Sequence, residues 1–468
     1  MTKKLLLINP RNSYKAGIYH DGDFSVPPMG LGIIAALTDS DWEIEILDES
    51  FDVFQAKKAD LVGFTGLTSQ ATRAYELASI YRELNITTVM GGIHASMLPE
   101  EALKYVDVVV KGEAEGVWRE LLHDFKQGSL RKIYESELQD LYSMPPPRID
   151  LYSSKYAFGS LQTTRGCPMK CDFCSVHTFN GRKYRYRNVA EVVDEYKRIP
   201  QKSLYIIDDD FYGYGSKHAQ RAKDICRGFI ESGIKKEWYT FCSMHLATDA
   251  EALQLMAQAG CRMILLGIES EIVEQLVASE KLTNIKVGVQ NYEKVYDAFH
   301  QAGIAVLGSF IYGLDTDTVQ TIRNRTDYFI NSGVDCIQPG MLTPLPGTLT
   351  YQNLYKSNRI NNMDYPKAWE KYTFFNCVID PVNMSVDEFT ELMHAEWDRM
   401  FDLKVLKRKY LNTLKATKNP IAAGWALSTN LKYRNTVFEG IREPYDYQKI
   451  YLELTSMTLN FNQTGHAV

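Results

Sequence analysis

Short apolar runs alternate along most of this chain with amphipathic stretches. That alternation constrains the fold more than any other feature, because strands that are apolar on both faces need helices above and below them. Among the first 127 residues the runs are 5–9 (LLLIN), 43–48 (EIEILD), 61–65 (LVGFT), 88–91 (TVMG) and 106–111 (VDVVVK), with helical periodicity over 69–84. The spacing predicts an α/β fold that begins with a Rossmann-like, doubly wound domain over residues 1–127. A connector is expected over 128–152, where SMPPPR at 143–148 places three prolines in a row and can continue neither a helix nor an inner strand.

A second series follows, with strands expected at 158–164, 204–208, 238–242, 262–267, 305–310 and 336–338 and helices at 216–232, 249–259 and 316–331. Six βα units predict a partial (β/α)6 barrel over 153–347, with reacting groups at the carboxyl ends of its strands. Beyond it the strand signal fades, and residues 348–468 read as a mostly helical C-terminal domain. Residues 403–437 carry eight Lys or Arg and no acidic residue. A basic helical face there would meet an anionic surface or substrate, and an ordinary solvated face is the competing reading.

Composition matters mainly for what it excludes. With 45% hydrophobic and 24% charged residues the chain has a soluble, globular make-up. Its net charge of −6 argues against a general nucleic-acid binder, which needs a basic surface. No apolar run reaches the ~18 residues needed to span a bilayer, and the N-terminus turns polar too soon for a signal peptide. A cytoplasmic protein without a transmembrane segment is the expectation.

Three of the eight cysteines fall in one short segment, TTRGCPMKCDFCSVH, as Cys167, Cys171 and Cys174. Thiolate is the preferred ligand of iron–sulfur units, and three of them on one loop can hold three irons of a cubane cluster and leave the fourth iron open. The alternative is a tetrahedral zinc site completed by His177 in a non-enzymatic binding protein. Zinc sites, however, usually draw paired ligands from two knuckles, whereas these cysteines all follow one strand that opens a βα series.

The C-x3-C-x-F-C spacing, with Phe173 before the last cysteine, resembles the signature of the radical S-adenosylmethionine (SAM) superfamily. The resemblance continues through LYIIDDDF (204–211), LLGIES (265–270), VLGSFIYGLDTDT (306–318) and LTPLPGTLTY (342–351). It implies a 4Fe–4S cluster on Cys167, Cys171 and Cys174, and SAM held by Asp208, Asp209, Glu269, Ser309 and Tyr312. The N-terminal stretches GFTGLTSQ (63–70), VMGGIHASMLPEEAL (89–103) and VVKGEAEGVW (109–118) resemble the cobalamin-binding branch of that superfamily. There the resemblance implies cobalamin near Thr65, Thr68, Gly91, Gly92, His94 and Glu113. The Asp-x-His-x-x-Gly motif that supplies a lower cobalt ligand elsewhere is absent, and YHDGD at 19–23 has the wrong order, so His94 is not assigned to cobalt.

The resemblance implies reductive cleavage of SAM to a 5′-deoxyadenosyl radical and, with cobalamin, methylation of an unactivated carbon. Cyclisation, rearrangement or oxidation with the same cofactors is the alternative. The implied partners are a small-molecule substrate, a lipid or natural-product intermediate among the classes considered, and an electron donor of the reductase, flavodoxin or ferredoxin type.

Overall fold

Two six-stranded parallel sheets organise the protein. The computed structural model describes residues 2–14, 25–142, 144–446 and 448–454, so the 19–23 string and Ser143 of the proline-rich connector lie outside the described residues. The first sheet contains β1 (Lys3–Asn9), β2 (Trp42–Asp48), β3 (Leu61–Phe64), β4 (Thr87–Met90), β5 (Val108–Gly112) and β6 (Ile133–Ser136). Its order is β2-β1-β3-β4-β5-β6. The order reverses between β1 and β3, and in open α/β sheets that switch point leaves a crevice at the carboxyl ends of the strands. The strand β6 lies in the stretch expected as connector. It is a short edge strand with one buried residue, Tyr134, and its apolar signal is correspondingly weak.

The second sheet runs β14-β13-β12-β11-β10-β7. Its members are β7 (Phe158–Leu161), β10 (Ser203–Ile206), β11 (Glu237–Cys242), β12 (Cys261–Glu269), β13 (Ala305–Tyr312) and β14 (Cys336–Met341). Between β7 and β10 a small antiparallel ribbon forms from β8 (Thr164–Arg165) and β9 (Arg185–Tyr186). Strictly consecutive parallel pairing is the topology of an unrolled βα barrel.

Along β13 exposure alternates: Ser309 and Ile311 are half-buried, whereas Phe310 and Tyr312 are buried beneath helices. A strand's side chains point to opposite faces with a period of two, so the first pair lines the barrel interior and the second faces outward.

The described residues beyond 347 pack in two places. Ile360, Trp369, Tyr372, Val378 and Ile379 join the core over the first sheet, where Trp369 is 1% exposed. The helices Leu403–Thr417 and Pro420–Val437 instead close the barrel, their apolar residues sharing its core. The basic face expected over 403–437 is thus partly consumed. Lys409 donates to the carbonyls of Ser332 (2.8 Å) and Val334 (2.7 Å), and Lys432 and Arg434 are also buried. A buried lysine of this kind satisfies carbonyls at a strand entry and is withdrawn from any anionic partner.

Candidate active site

The cysteine loop is built on a glycine. Gly166 has φ of +92°, and a side chain there would strike the Lys183 carbonyl, so the chain can turn out of β8 only because no Cβ is present. The Gly166 N–H donates to Asp209 at 2.8 Å, and the Cys167 N–H to the Gly181 carbonyl at 3.2 Å. Further along, Asp172 N–H reaches the Ser279 carbonyl (3.4 Å), and Asp172 in turn accepts from Thr350 N–H (3.1 Å). The loop is therefore stapled at its root to Asp209, just after β10, and at its far end to the helical segments that follow β12 and β14.

Cys171 is buried and Cys167 and Cys174 are partly so; all three are free thiols. Burial raises the Cys167 pKa to about 11 and that of Cys174 to about 12, and the charges of the neighbouring cysteines add to both shifts. Burial raises Cys171 as well, while Lys281 opposes the shift. Three soft donors close enough to sense one another suit a cluster, whose irons displace the thiol protons on binding. In a cubane site each thiolate takes a different iron, so the three sulfurs need not meet at one metal-sized point, and among the described residues no three such side chains do. His177, the fourth ligand of the zinc alternative, has its pKa lowered by burial and by Arg182.

The three aspartates after β10 separate by strand alternation. Asp208 is fully buried; one oxygen accepts from the N–H groups of Thr163 (2.6 Å) and Thr164 (3.0 Å), and the other from the Thr163 hydroxyl. Its carboxylate pins β7 to β10 and is spent within the protein, contrary to the SAM-binding role expected of it. Asp209 is half-buried and faces the cysteine loop. It holds Gly166 and the Asn180 side chain (3.0 Å), and burial raises its pKa to about 6.

Glu269 ends β12 with φ of +62°, at a register shift against β13. A non-glycine residue in the left-handed region costs roughly 1 kcal/mol or more, so surrounding contacts must hold it there. The contact is Lys281, whose Nζ lies 2.7 Å from Glu269 Oε1, and the pair crosses Gly267, where any side chain would collide with both groups. Burial alone would lower the Lys281 pKa, but Glu269 and then Cys171 outweigh it and the net shift is upward. Lys281 was not foreseen, since nothing in LLGIES signals a cation twelve residues on.

Of the two SAM candidates on β13, Ser309 faces the interior. Tyr312, an odd number of residues away, is buried on the opposite face with Arg325 over its ring at 5.2 Å, which withdraws it from the expected role.

A cavity of about 520 Å³ lies at the switch point of the first sheet. Its walls include Thr65, Gly91 and Gly92 from the first sheet and Gln162, Tyr205 and Ile207 from the barrel. At Gly91 an added Cβ would meet nothing closer than 3.8 Å, and at Gly30, also in the wall, nothing within 4 Å. Bare backbone faces open space at Gly30 and has room to spare at Gly91, a wall that a bulky ring-edged ligand such as a corrin can approach closely. Gly92 has φ of +88° and sits against Thr65 Oγ1 and Gly66 N, where a Cβ would lie 3.0 and 3.1 Å away.

Of the other cobalamin candidates, Thr68 and His94 do not line this cavity. Thr68 is buried in a short 3-10 turn beside this wall. His94 is fully buried, its Nε2 3.1 Å from the Tyr75 hydroxyl and 3.3 Å from Glu101, with Trp369 edge-on at 5.4 Å. It belongs to the core between the first sheet and the C-terminal segment, held through Nε2, while its buried Nδ1 has no hydrogen-bond partner.

Glu113 lines the cavity, but its carboxylate is taken by Arg185 (2.7 Å to each oxygen), by Arg165 (3.3 Å) and by the Gln139 N–H (2.6 Å). Burial would raise its pKa, yet the Arg185 hydrogen bonds and the Arg165 charge prevail and hold it below the usual carboxylate value. It ties the first domain to the β8–β9 ribbon and leaves no lone pair prominent toward a cofactor. This bridge joins residues 72 apart, and no local pattern announces it.

Comparison with known proteins agrees with this geometry. Residues 161–328 match the radical SAM superfamily model and residues 20–122 match the B12 binding domain model. Among similar proteins, bacteriochlorophyllide d C-12(1)-methyltransferase of Chlorobaculum tepidum is 27% identical over 429 residues, covering 88% of this chain and 91% of that protein. The anaerobic magnesium-protoporphyrin IX monomethyl ester cyclase of Rubrivivax gelatinosus is 25% identical, covering 87% and 81%. In fold, the chain resembles the radical SAM methyltransferase TsrM of Kitasatospora setae, solved with cobalamin and a 4Fe–4S cluster, at a TM-score of 0.65 and 16% identity over 94% of this chain and all of that one. The cysteine loop at the mouth of a six-stranded βα barrel, the glycine-walled cavity between barrel and first sheet and both domain matches lead to one assignment: residues 161–328 form a radical SAM domain and residues 20–122 a B12-binding domain, in an enzyme that uses a 4Fe–4S cluster, SAM and cobalamin.

Proposed function

We propose that this enzyme transfers a methyl group to a carbon atom of a small, largely apolar substrate bound between its two domains. The observation that carries the reading is that the glycine-walled cavity is shared: β1, β3 and β4 form one side, and Tyr205 and Ile207 from the barrel interior form the other. A ligand held there faces the barrel interior directly, which favours transfer between two bound groups without exposure to water.

When bound, the cluster and SAM would supply a carbon-centred radical, and cobalamin the methyl group. The protein's part is positioning. Cys167, Cys171 and Cys174 would hold the cluster, with Asp209 fixing the Gly166 turn at the root of their loop. Glu269 and Ser309 face the interior and offer a carboxylate and a hydroxyl for the polar groups of SAM, with Lys281 steadying Glu269. Thr65, Gly91 and Gly92 would receive the cobalamin edge. The inner wall includes Tyr205 stacked on Tyr239, their ring centroids 4.4 Å apart and nearly parallel. A flat aromatic wall suits a flat, apolar substrate, a shape shared by the macrocycles in the names of the two relatives.

The test uses SAM labelled in its methyl group with the reconstituted, cobalamin-loaded protein. Label recovered in the cobalamin fraction supports methyl transfer; label that leaves SAM only as methionine, in step with the 5′-deoxyadenosine formed, points to a cyclase-type reaction, as in the name of the second relative, and overturns the proposal.

A further inference from the structure

The cysteine loop has an outer side, and it forms part of another concavity, of about 820 Å³. Pro168, Met169 and Lys170, the three residues between Cys167 and Cys171, contribute to its wall. Tyr214 lies in the same wall and senses the charges of both cysteines. This is therefore a surface separated from the thiols by little more than their own loop.

Its charge runs against that of the protein. The whole chain carries −6, yet the concavity is rimmed by Lys170, Arg182, Lys286 and Lys294 and by one carboxylate, Glu280, which Lys170 pairs at 3.0 Å. All four cations stand on exposed positions and come from three separate segments. Between them the surface is apolar, with Met244, Leu282 and Val295 among the residues that form it. An apolar centre with a charged, exposed rim is the anatomy of a protein interface; a pocket for a small anion would bury its cations around the ligand.

We propose that this basic concavity docks a small acidic one-electron carrier protein of the flavodoxin or ferredoxin kind. The proposal rests on the reading of the chain as a radical SAM enzyme, whose chemistry consumes one electron that no residue of the chain supplies. In each encounter the carrier loses one electron and the cluster behind the loop gains it, with no bond made or broken. The rim cations steer and orient the carrier, and the apolar centre lets its prosthetic group approach the loop closely.

The experiment uses the cluster-loaded full chain with Lys286→Glu and Lys294→Glu combined, and a Lys286→Gln/Lys294→Gln variant as a smaller charge change. Flavodoxin is the probe. Binding is measured by calorimetry at low and high salt, and cluster reduction by flavodoxin hydroquinone is followed by electron paramagnetic resonance, with dithionite as a reductant that needs no docking. The expected result is binding about tenfold weaker in the Glu variant, less so in the Gln variant, with flavodoxin-driven reduction slowed in parallel and dithionite-driven reduction unchanged.

Unchanged flavodoxin binding and reduction in both variants, with dithionite still effective, would overturn the docking surface alone. A loss confined to binding of inorganic phosphate would reassign the patch to a small anion and overturn it too. A wild type whose cluster dithionite cannot reduce would overturn the enzymatic reading beneath it.

Discussion

Replacing Glu113 by glutamine tests how the two domains are joined. The residue is 3% exposed and its carboxylate meets Arg185 through two hydrogen bonds of 2.7 Å, with Arg165 at 3.3 Å. Arg165 and Arg185 are themselves buried, at 8% exposure each. The substitution keeps the shape and removes the charge, leaving two guanidinium groups in a poorly solvated place with Glu115 to pair Arg165. Breaking a buried pair from one side costs about 3–5 kcal/mol. With a urea dependence of ~3 kcal/mol per molar, the first unfolding transition should fall by about 1 M or more.

The same bridge gives a pH signature in the wild type. Because the folded-state pKa of Glu113 is depressed, its contribution is fully present above the unfolded value and disappears as pH falls through the lower folded value. Urea titrations of wild type and Glu113→Gln at pH 7 and near pH 4 should therefore show a gap between them that narrows on acidification. A gap below about 1 kcal/mol at pH 7, or one that widens in acid, would refute the reasoning.

Other substitutions separate structural from cofactor roles. Gly92→Ala forces a Cβ to within 3.0 Å of Thr65 Oγ1 at a φ of +88°, so it should cost roughly 1–3 kcal/mol and weaken cobalamin binding, read by titration of the visible spectrum. His94→Ala should lower stability by about 1–3 kcal/mol, because Tyr75 and Glu101 lose a buried partner, while the spectrum of bound cobalamin stays unchanged; a changed spectrum would place His94 at cobalt. Asp208→Asn and Asp209→Ala should differ. The first weakens the fold itself by about 2–4 kcal/mol, whereas the second chiefly loosens the Gly166 turn and lowers iron retained after gel filtration.

The fold was largely legible because its signals are local. Every run expected as a strand of the first sheet is one, within a residue or two, since the inner ones are apolar on both faces and the edge strand β2 alternates, and the cysteine loop follows the first barrel strand as the spacing requires. Alternation also divides Asp208 from Asp209 and Ser309 from Tyr312, a distinction that the period of two carries and that a motif taken as a whole does not. What stayed hidden is long-range. Glu113 finds its arginines 52 and 72 residues on, and Trp369 donates to Glu101 across 268 residues. Residues 403–437 looked basic because composition cannot show that Lys409 and Lys432 are buried against the barrel.

Three thiols would leave one iron free to bind SAM, and the most direct measurement of this is 5′-deoxyadenosine released by the anaerobically reconstituted protein under dithionite. The wild type should form it while Cys171→Ala forms none. Equal amounts from both proteins, or none from a wild type that has retained zinc in place of iron, would contradict the assignment.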